Sequence, residues 1–265
     1  MDETYQIYLN RVARATLRET YHSQLEYIQE SPKFEPGPAG KRQAISFPGY
    51  TVMTPPWEEE TANQGLYQAV ETCQKQLLDV LPPDLLVPLP PESFHFTLAD
   101  LIWENAYRAA TEQIPDFEQQ LRDRIGASFA RCQSDVRQEE PVRWQLFGFM
   151  VHTRSITLCL VPRNEEAYNR LLQLRRSIYQ NSQLIALGIE QQYRFTAHIT
   201  LGYFGAIPTD LDLQGISAAL ADLSNQWLDR PAQEFWVSRA ELRKFDNMIH
   251  FYREADWPTV SFCDR

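Results

Sequence analysis

The 265-residue sequence has no long apolar run, and no stretch of it is hydrophobic enough to span a bilayer. Cysteine is scarce: Cys73, Cys132, Cys159 and Cys263 lie far apart with no paired spacing. They suit neither a zinc ribbon nor a disulfide framework, so a reduced, cytoplasmic setting is expected. Basic residues are outnumbered 25 to 35, for a net charge of −10. A chain so short of cations has little with which to neutralise a long nucleic acid, although a small anion held by a few local donors stays compatible. The opening Met1-Asp2-Glu3-Thr4-Tyr5 is polar and acidic, unlike a secretory signal. There is no HExxH, no carboxylate cluster beside a histidine and no Cys–His pair at ligand spacing. Neither a metal nor a cofactor is therefore expected.

What is present is an ordinary globular share of apolar residues, 43%, enough for one large domain or two lobes. Residues 4–30 carry Tyr5, Leu9, Val12, Tyr21, Leu25 and Ile28 at steps mostly of three or four, which predicts one amphipathic helix or two. Breakers follow at Pro32, Pro36, Gly37, Pro38, Gly40, Pro48 and Gly49. Residues 1–48 thus read as an extension, a helix packed on one face of the main domain and then a Pro/Gly-rich loop. Beyond it, strand and helix signals alternate. Strands are expected over 50–54, 84–89, 93–98, 142–151, 155–161 and 193–203. Helices are expected over 59–81, 116–132, 165–187 and 211–228, and a closing hairpin (235–244, 248–252) turns at Phe245-Asp246-Asn247.

The pattern predicts an α+β (α/β) domain with helices on antiparallel-rich sheets. It also repeats. Thr51-Val52-Met53 precedes His95-Phe96-Thr97-Leu98 by an interval similar to that between Ile156-Thr157-Leu158 and His198-Ile199-Thr200-Leu201. Residues 49–265 therefore read as a bilobal, duplicated strand–helix–strand fold, with halves near 49–151 and 152–265. A pseudo-two-fold axis would relate the halves across a central cleft.

Of five histidines, His22, His152 and His250 read as surface or rim. His95 and His198 share His-apolar-Thr-Leu at matching places. Either tetrapeptide alone is weak evidence, and a structural histidine would be the better reading of one copy. Two copies in register are a different matter. In a strand, His95 and Thr97 project to one face while Phe96 and Leu98 project to the other, and the same holds for His198 and Thr200 against Ile199 and Leu201. Each motif would present an imidazole and a hydroxyl roughly 6–7 Å apart on one surface. Brought together, two imidazoles can serve as base and acid on opposite sides of a phosphodiester, and two hydroxyls can donate to its non-bridging oxygens.

This pair of motifs, about a hundred residues apart in a duplicated chain, resembles the 2H phosphoesterase superfamily. That superfamily includes the RNA 2′,3′-cyclic phosphodiesterases, also called 2′-5′ RNA ligase-like proteins. Phe47-Pro48-Gly49-Tyr50-Thr51-Val52 together with the extension looks most like a bacterial branch familiar from cyanobacteria, and the resemblance covers about residues 47–253. It implies metal-independent cleavage of a cyclic nucleotide, an RNA 2′,3′-cyclic phosphate end or a 2′-5′ linkage. His95 and His198 would be the catalytic pair, in unassigned order, and Thr97 and Thr200 the phosphate-binding residues. The implied partner is a small nucleotide or RNA end. No long double-stranded nucleic acid, membrane or obligate protein partner is expected. The extension and the lack of a basic stretch around the motifs speak against a large RNA. Two rival readings stand beside this one: a module that binds a nucleotide in the same cleft without turnover, and a scaffold docking a partner through its N-terminal helix.

Secondary candidates are fewer. Strand alternation would put Arg194 and Thr196 on the His198 face, where Arg194 binds phosphate or pairs with a rim carboxylate. Gly202 would either admit a ligand or mark a bulge. Phe94, Phe96 and Tyr203 should face the core. Lys41 and Arg42 reach a phosphate only if their loop crosses the cleft. Trp57-Glu58-Glu59-Glu60 reads as the acidic first turn of a helix.

Overall fold

The computed structural model describes residues 2–229 and 233–263. The N-terminal segment forms two helices, α1 (Tyr5–Ala15) and α2 (Arg18–Leu25). Thr4 caps the first, its hydroxyl accepting from the Ile7 amide at 3.3 Å. Tyr8 and Val12 of α1 and Tyr21 and Leu25 of α2 are buried, so these faces are spent on packing. A small hairpin follows, β1 (Phe34–Pro36) and β2 (Arg42–Ala44), joined through a 3₁₀ turn. Gly40 ends that turn at φ +77°, a left-handed conformation favouring glycine.

Then come β3 (Gly49–Met53), α3 (Gln64–Val80), β4 (Leu86–Pro88), β5 (Thr97–Trp103), α4 (Glu104–Gln113), α5 (Phe117–Val136), β6 (Val142–Val151) and β7 (Ser155–Pro162). The chain continues through α6 (Glu165–Tyr179), α7 (Ser182–Ile185), β8 (His198–Phe204), α8 (Leu213–Leu228), β9 (Glu234–Val237), β10 (Arg239–Asn247), β11 (His250–Tyr252) and β12 (Thr259–Ser261). The helix over 165–187 is interrupted at Gln180-Asn181, where Asn181 starts α7 by accepting from Gln183. α4 carries a single buried residue, Tyr107, and so leaves only a faint apolar stripe in the sequence.

Two antiparallel five-stranded sheets carry the fold. The first has the order β11-β10-β3-β5, with β12 also paired to β10, and the second runs β4-β8-β7-β6-β9. Each sheet draws strands from both sides of residue 151: β4 and β6 belong to the second, and β10 to β12 to the first. The expected α+β class with antiparallel sheets is what the chain adopts. Phe96 from the first sheet's side sits edge-on to Trp144 and Phe235 of the second, at centroid distances of 5.5 and 5.9 Å, so one aromatic core joins the two. α1 and α2 pack on β7 and β6.

Two expected boundaries move. Trp57–Glu59 is a 3₁₀ turn and the helix starts only at Gln64, with Glu59 bonded to Arg243. Both histidine strands also start late, at Thr97 and His198 rather than 93 and 193. Pro90 and Pro91 lack ladder donors and set up a 3₁₀ turn that ends at Ser93. No described helix is long and apolar enough to cross a membrane.

Candidate functional site

His95 lies two residues before the start of β5, and His198 is the first residue of β8. Phe96, Leu98, Ile199 and Leu201 are fully buried, while His95, Thr97, His198 and Thr200 keep partial exposure, as period-two alternation requires. Both rings are anchored in the same way. His95 Nδ1 is 2.7 Å from the Ser93 carbonyl, and His198 Nδ1 is 2.7 Å from the Thr196 carbonyl. A carbonyl oxygen only accepts, so each Nδ1 carries the hydrogen and each Nε2 is the nitrogen left for chemistry.

The environments then differ. Burial pulls the His95 pKa down to about 4, against the Ser93 carbonyl, with positive charge on His198 and Arg243 acting in the same direction as burial. His95 is accordingly neutral through the neutral range. Its ring lies against Phe251, with centroids 4.4 Å apart. The charge on His198, over a hundred positions away in sequence, thus adds to the effect of burial on His95.

A third histidine joins them. His152 was expected on the rim. Instead its ring folds back from the β6–β7 turn to 5.5 Å from the His198 ring, and its Nε2 is 3.2 Å from Thr157 Oγ1. Thr157 pairs with Thr200 across β7 and β8, so the two threonines share a face. Burial first, and His198 second, depress His152 to about 3. The available clue was its place in a tight connection, where a side chain can turn back over the sheet it has just left.

Arg243 is the other residue that the motifs did not reveal. It is fully buried, with Nε 2.9 Å from Glu241 Oε2 and Nη1 2.8 Å from Glu59 Oε1. Glu241 pairs with Met53, and Met53 with Thr97, so this ion pair lies in the same row of the first sheet as the first motif's hydroxyl. The signal in the sequence was Arg239-Ala240-Glu241-Leu242-Arg243, three charges on one face of a strand.

The secondary candidates fall elsewhere. Arg194 is exposed on the non-strand segment before β8, so the alternation meant to place it on the His198 face does not reach it. Thr196 Oγ1 is taken by Arg11. At Gly202 a Cβ would stand 2.6 Å from the Val87 carbonyl, so this glycine admits β4. Arg42 pairs with Glu30 at 2.5 Å and Lys41 is exposed. Phe94 and Phe96 are core residues, and Tyr203 packs beside Phe34. Among the described residues, no group of three or more His, Cys, Asp or Glu side chains could hold a metal ion.

No protein-family model matches the chain. No curated protein matches it either. Solved structures do. The conserved protein of unknown function ATU0111 from Agrobacterium tumefaciens aligns with a TM-score of 0.57 at 16% identity, over 91% of this chain and 97% of that one. This shows a shared fold. TT0787 of Thermus thermophilus aligns with a TM-score of 0.42 at 19% identity, covering 73% of this chain and 86% of its own. E. coli LigT complexed with 3′-AMP aligns with a TM-score of 0.38 at 15% identity, covering 79% and 91%.

Proposed function

We propose that the chain is a two-histidine phosphodiesterase of the 2H type, acting without a metal on a cyclic nucleotide, an RNA 2′,3′-cyclic phosphate end or a 2′-5′ linkage. One observation carries the reading: two imidazoles from distant motifs, each with Nδ1 fixed on the carbonyl two residues upstream and each followed on its face by a threonine. A histidine that serves only packing has no need of a free Nε2, and here two are presented alike. The strand orders β10-β3-β5 and β6-β7-β8 support a pseudo-two-fold relation between the sheets, with the motif strand third in each. Residues 49–265 are then a bilobal domain, and residues 1–48 an extension laid over it.

His95, held neutral by burial, is assigned the role of the base and His198 that of the acid. Water gives its proton to His95 Nε2 while its oxygen bonds to phosphorus. The bond from phosphorus to the ribose oxygen breaks, and that oxygen takes the proton of His198 Nε2. Thr97 and Thr200 donate to the non-bridging oxygens as charge builds on them. The products are a phosphomonoester and a free hydroxyl, and solvent resets the two rings. Substrates are small, because a chain of net charge −10 offers no basic track for long RNA.

The test compares 2′,3′-cyclic mononucleotides, 3′,5′-cyclic nucleotides and 2′-5′ dinucleotides side by side, with EDTA present. Turnover of one class, lost by ~10²-fold or more in both His95→Ala and His198→Ala, is the expected result. Undiminished turnover in both variants would remove the two-histidine reading, and tight nucleotide binding with no product would remove the enzymatic one.

A further inference from the structure

The ladder between β7 and β8 ends at the pair Cys159–His198. One rung further, Leu160 N still donates to the Ala197 carbonyl at 2.8 Å. The reciprocal bond is replaced by a side chain from the extension. The Tyr8 hydroxyl accepts from Ala197 N at 3.1 Å and donates to the Leu160 carbonyl at 2.7 Å, bridging the two strands where they part. Burial pushes the Tyr8 phenol upward, so it keeps the proton this bridge requires.

The two residues before Ala197 are held by the same helix. Arg11 Nη1 donates to Thr196 Oγ1 at 2.7 Å, and Nη2 donates to the Phe195 carbonyl. Glu3 fixes that guanidinium, with Arg11 Nε 2.9 Å from its Oε1. The Phe195 ring stacks on the Tyr8 ring, with centroids 6.1 Å apart and planes 20° apart. Three consecutive residues are thus pinned by α1. The middle one, Thr196, offers the carbonyl that orients His198 Nδ1.

At the other motif the chain closes a similar gap from within. Thr54 N donates to the Phe96 carbonyl at 2.9 Å, and Phe96 N donates back to Thr54 Oγ1 at 3.0 Å. A hydroxyl stands in the terminal rung beside each histidine. For His95 it belongs to Thr54, the residue that follows the adjoining strand β3; for His198 it belongs to Tyr8, 189 positions from the Ala197 it bonds.

We infer that α1, through Tyr8 and Arg11, is the positioning element of His198: it fixes residues 195–197 and so holds the ring in one tautomer with Nε2 aimed into the cleft. Neither residue is catalytic, for each acts through the backbone of the segment ahead of His198. The inference rests on the proposed two-histidine reading for its consequence in turnover, though not for its consequence in the ring itself.

The test uses the full chain labelled with ¹⁵N-histidine, with His198 assigned from a His198→Gln control. Recorded at pH 9, where an imidazole is neutral, wild type should show His198 as a single Nδ1–H tautomer. Tyr8→Phe and Arg11→Met should each give a mixture of tautomers, and on whichever phosphodiester the wild type cleaves they should lower kcat at least 10-fold with KM within 3-fold. Arg11→Lys should recover part of both. Tyr21→Phe is the control: it removes another buried hydroxyl of the extension, one bonded to the Phe149 carbonyl at 2.8 Å, away from residues 195–197. It should change neither readout at a comparable loss of Tm. An unchanged His198 signal in Tyr8→Phe and Arg11→Met overturns the inference whether or not the wild type turns over any substrate, and so does an equal change in Tyr21→Phe. Should Tyr8→Phe fail to fold, Arg11→Met and Arg11→Lys decide by the same signal. If wild type cleaves nothing while the tautomer shifts as described, the positioning stands and the enzymatic reading falls.

Discussion

His152 and His198 face each other with ring centroids 5.5 Å apart and planes inclined at 49°, although one follows the last residue of β6 and the other opens β8. Burial disfavours a charge on His152, and a second positive charge so close to His198 costs more still. His152 is held down to about 3, and His95, on the other sheet's side, to about 4.

A pH dependence of stability follows from these two groups. A histidine whose folded pKa lies below its unfolded value of about 6.5 binds its proton more readily in the unfolded chain. Its contribution is therefore complete above about pH 6.5 and is lost as the pH falls from there toward the folded pKa. The slope is at most about 1.4 kcal/mol per pH unit for each group. Thermal melts at pH 7, 6 and 5 should show Tm falling more steeply in wild type than in His95→Gln/His152→Gln. Parallel decline in the two proteins would refute this assignment.

Arg243 sits between Glu241 and Glu59 with its guanidinium out of solvent. Replacing it by Met leaves Glu241, also buried, with Arg239 as its partner at 2.7 Å among the described residues. The expected cost is about 3–5 kcal/mol, the range for stranding one member of a buried pair. Removal of a positive charge near His95 also lets its pKa rise. Urea unfolding of Arg243→Met and of Arg243→Met/Glu241→Met checks the cause, since the double variant should regain much of the loss. A double variant no more stable than the single would mean that packing, rather than the stranded carboxylate, sets the cost.

The residues that were legible in the sequence are those governed by local geometry. Alternation over His95 to Leu98 and His198 to Leu201 follows from the pleat alone, and the buried and half-buried pattern repeats it. Alternation does not say which face is outside. Arg239, Glu241 and Arg243 occupy one face of β10 and would suit solvent, yet mutual neutralisation lets Glu241 and Arg243 lie inside while Ala240 and Leu242 fill the other face. His152 was misplaced for a related reason, since a turn residue can point either away from its hairpin or back over it. The link from Tyr8 to Ala197 joins segments with no local relation and is visible only once the chain is folded.

Gly202 gives a test of the second sheet. A Cβ there would meet the Val87 carbonyl at 2.6 Å and Leu86 Cγ at 2.8 Å, so Gly202→Ala must push β4 off the sheet edge. A loss of about 1–3 kcal/mol is expected from such overpacking. Gly65, in the first turn of α3, has nothing within 4 Å of the same atom, and Gly65→Ala should gain up to about 1 kcal/mol from helix propensity. Melting both variants tests the contrast, and a Gly202→Ala protein as stable as wild type would show that β4 moves freely.

On the proposed reading Thr97 and Thr200 bind phosphate, and replacing them tests that role apart from the chemistry of the rings. Each is half-buried on the face of its histidine, and Thr200 stands beside the fully covered Thr157, whose own hydroxyl is engaged by His152. Valine copies the shape of threonine and removes only the donor. A hydrogen bond to a charged oxygen contributes about 1.5–3 kcal/mol, so Thr97→Val and Thr200→Val should each lower kcat/KM by about 10- to 100-fold. The greater part should fall on kcat, because the non-bridging oxygens carry most charge in the transition state. Serine at either position keeps the hydroxyl and should retain most of the rate. Steady-state kinetics of the four variants on the cleaved phosphodiester decides the matter: equal losses for Val and Ser would trace the effect to packing beside the histidine, and no loss for Val would remove the threonines from the phosphate site.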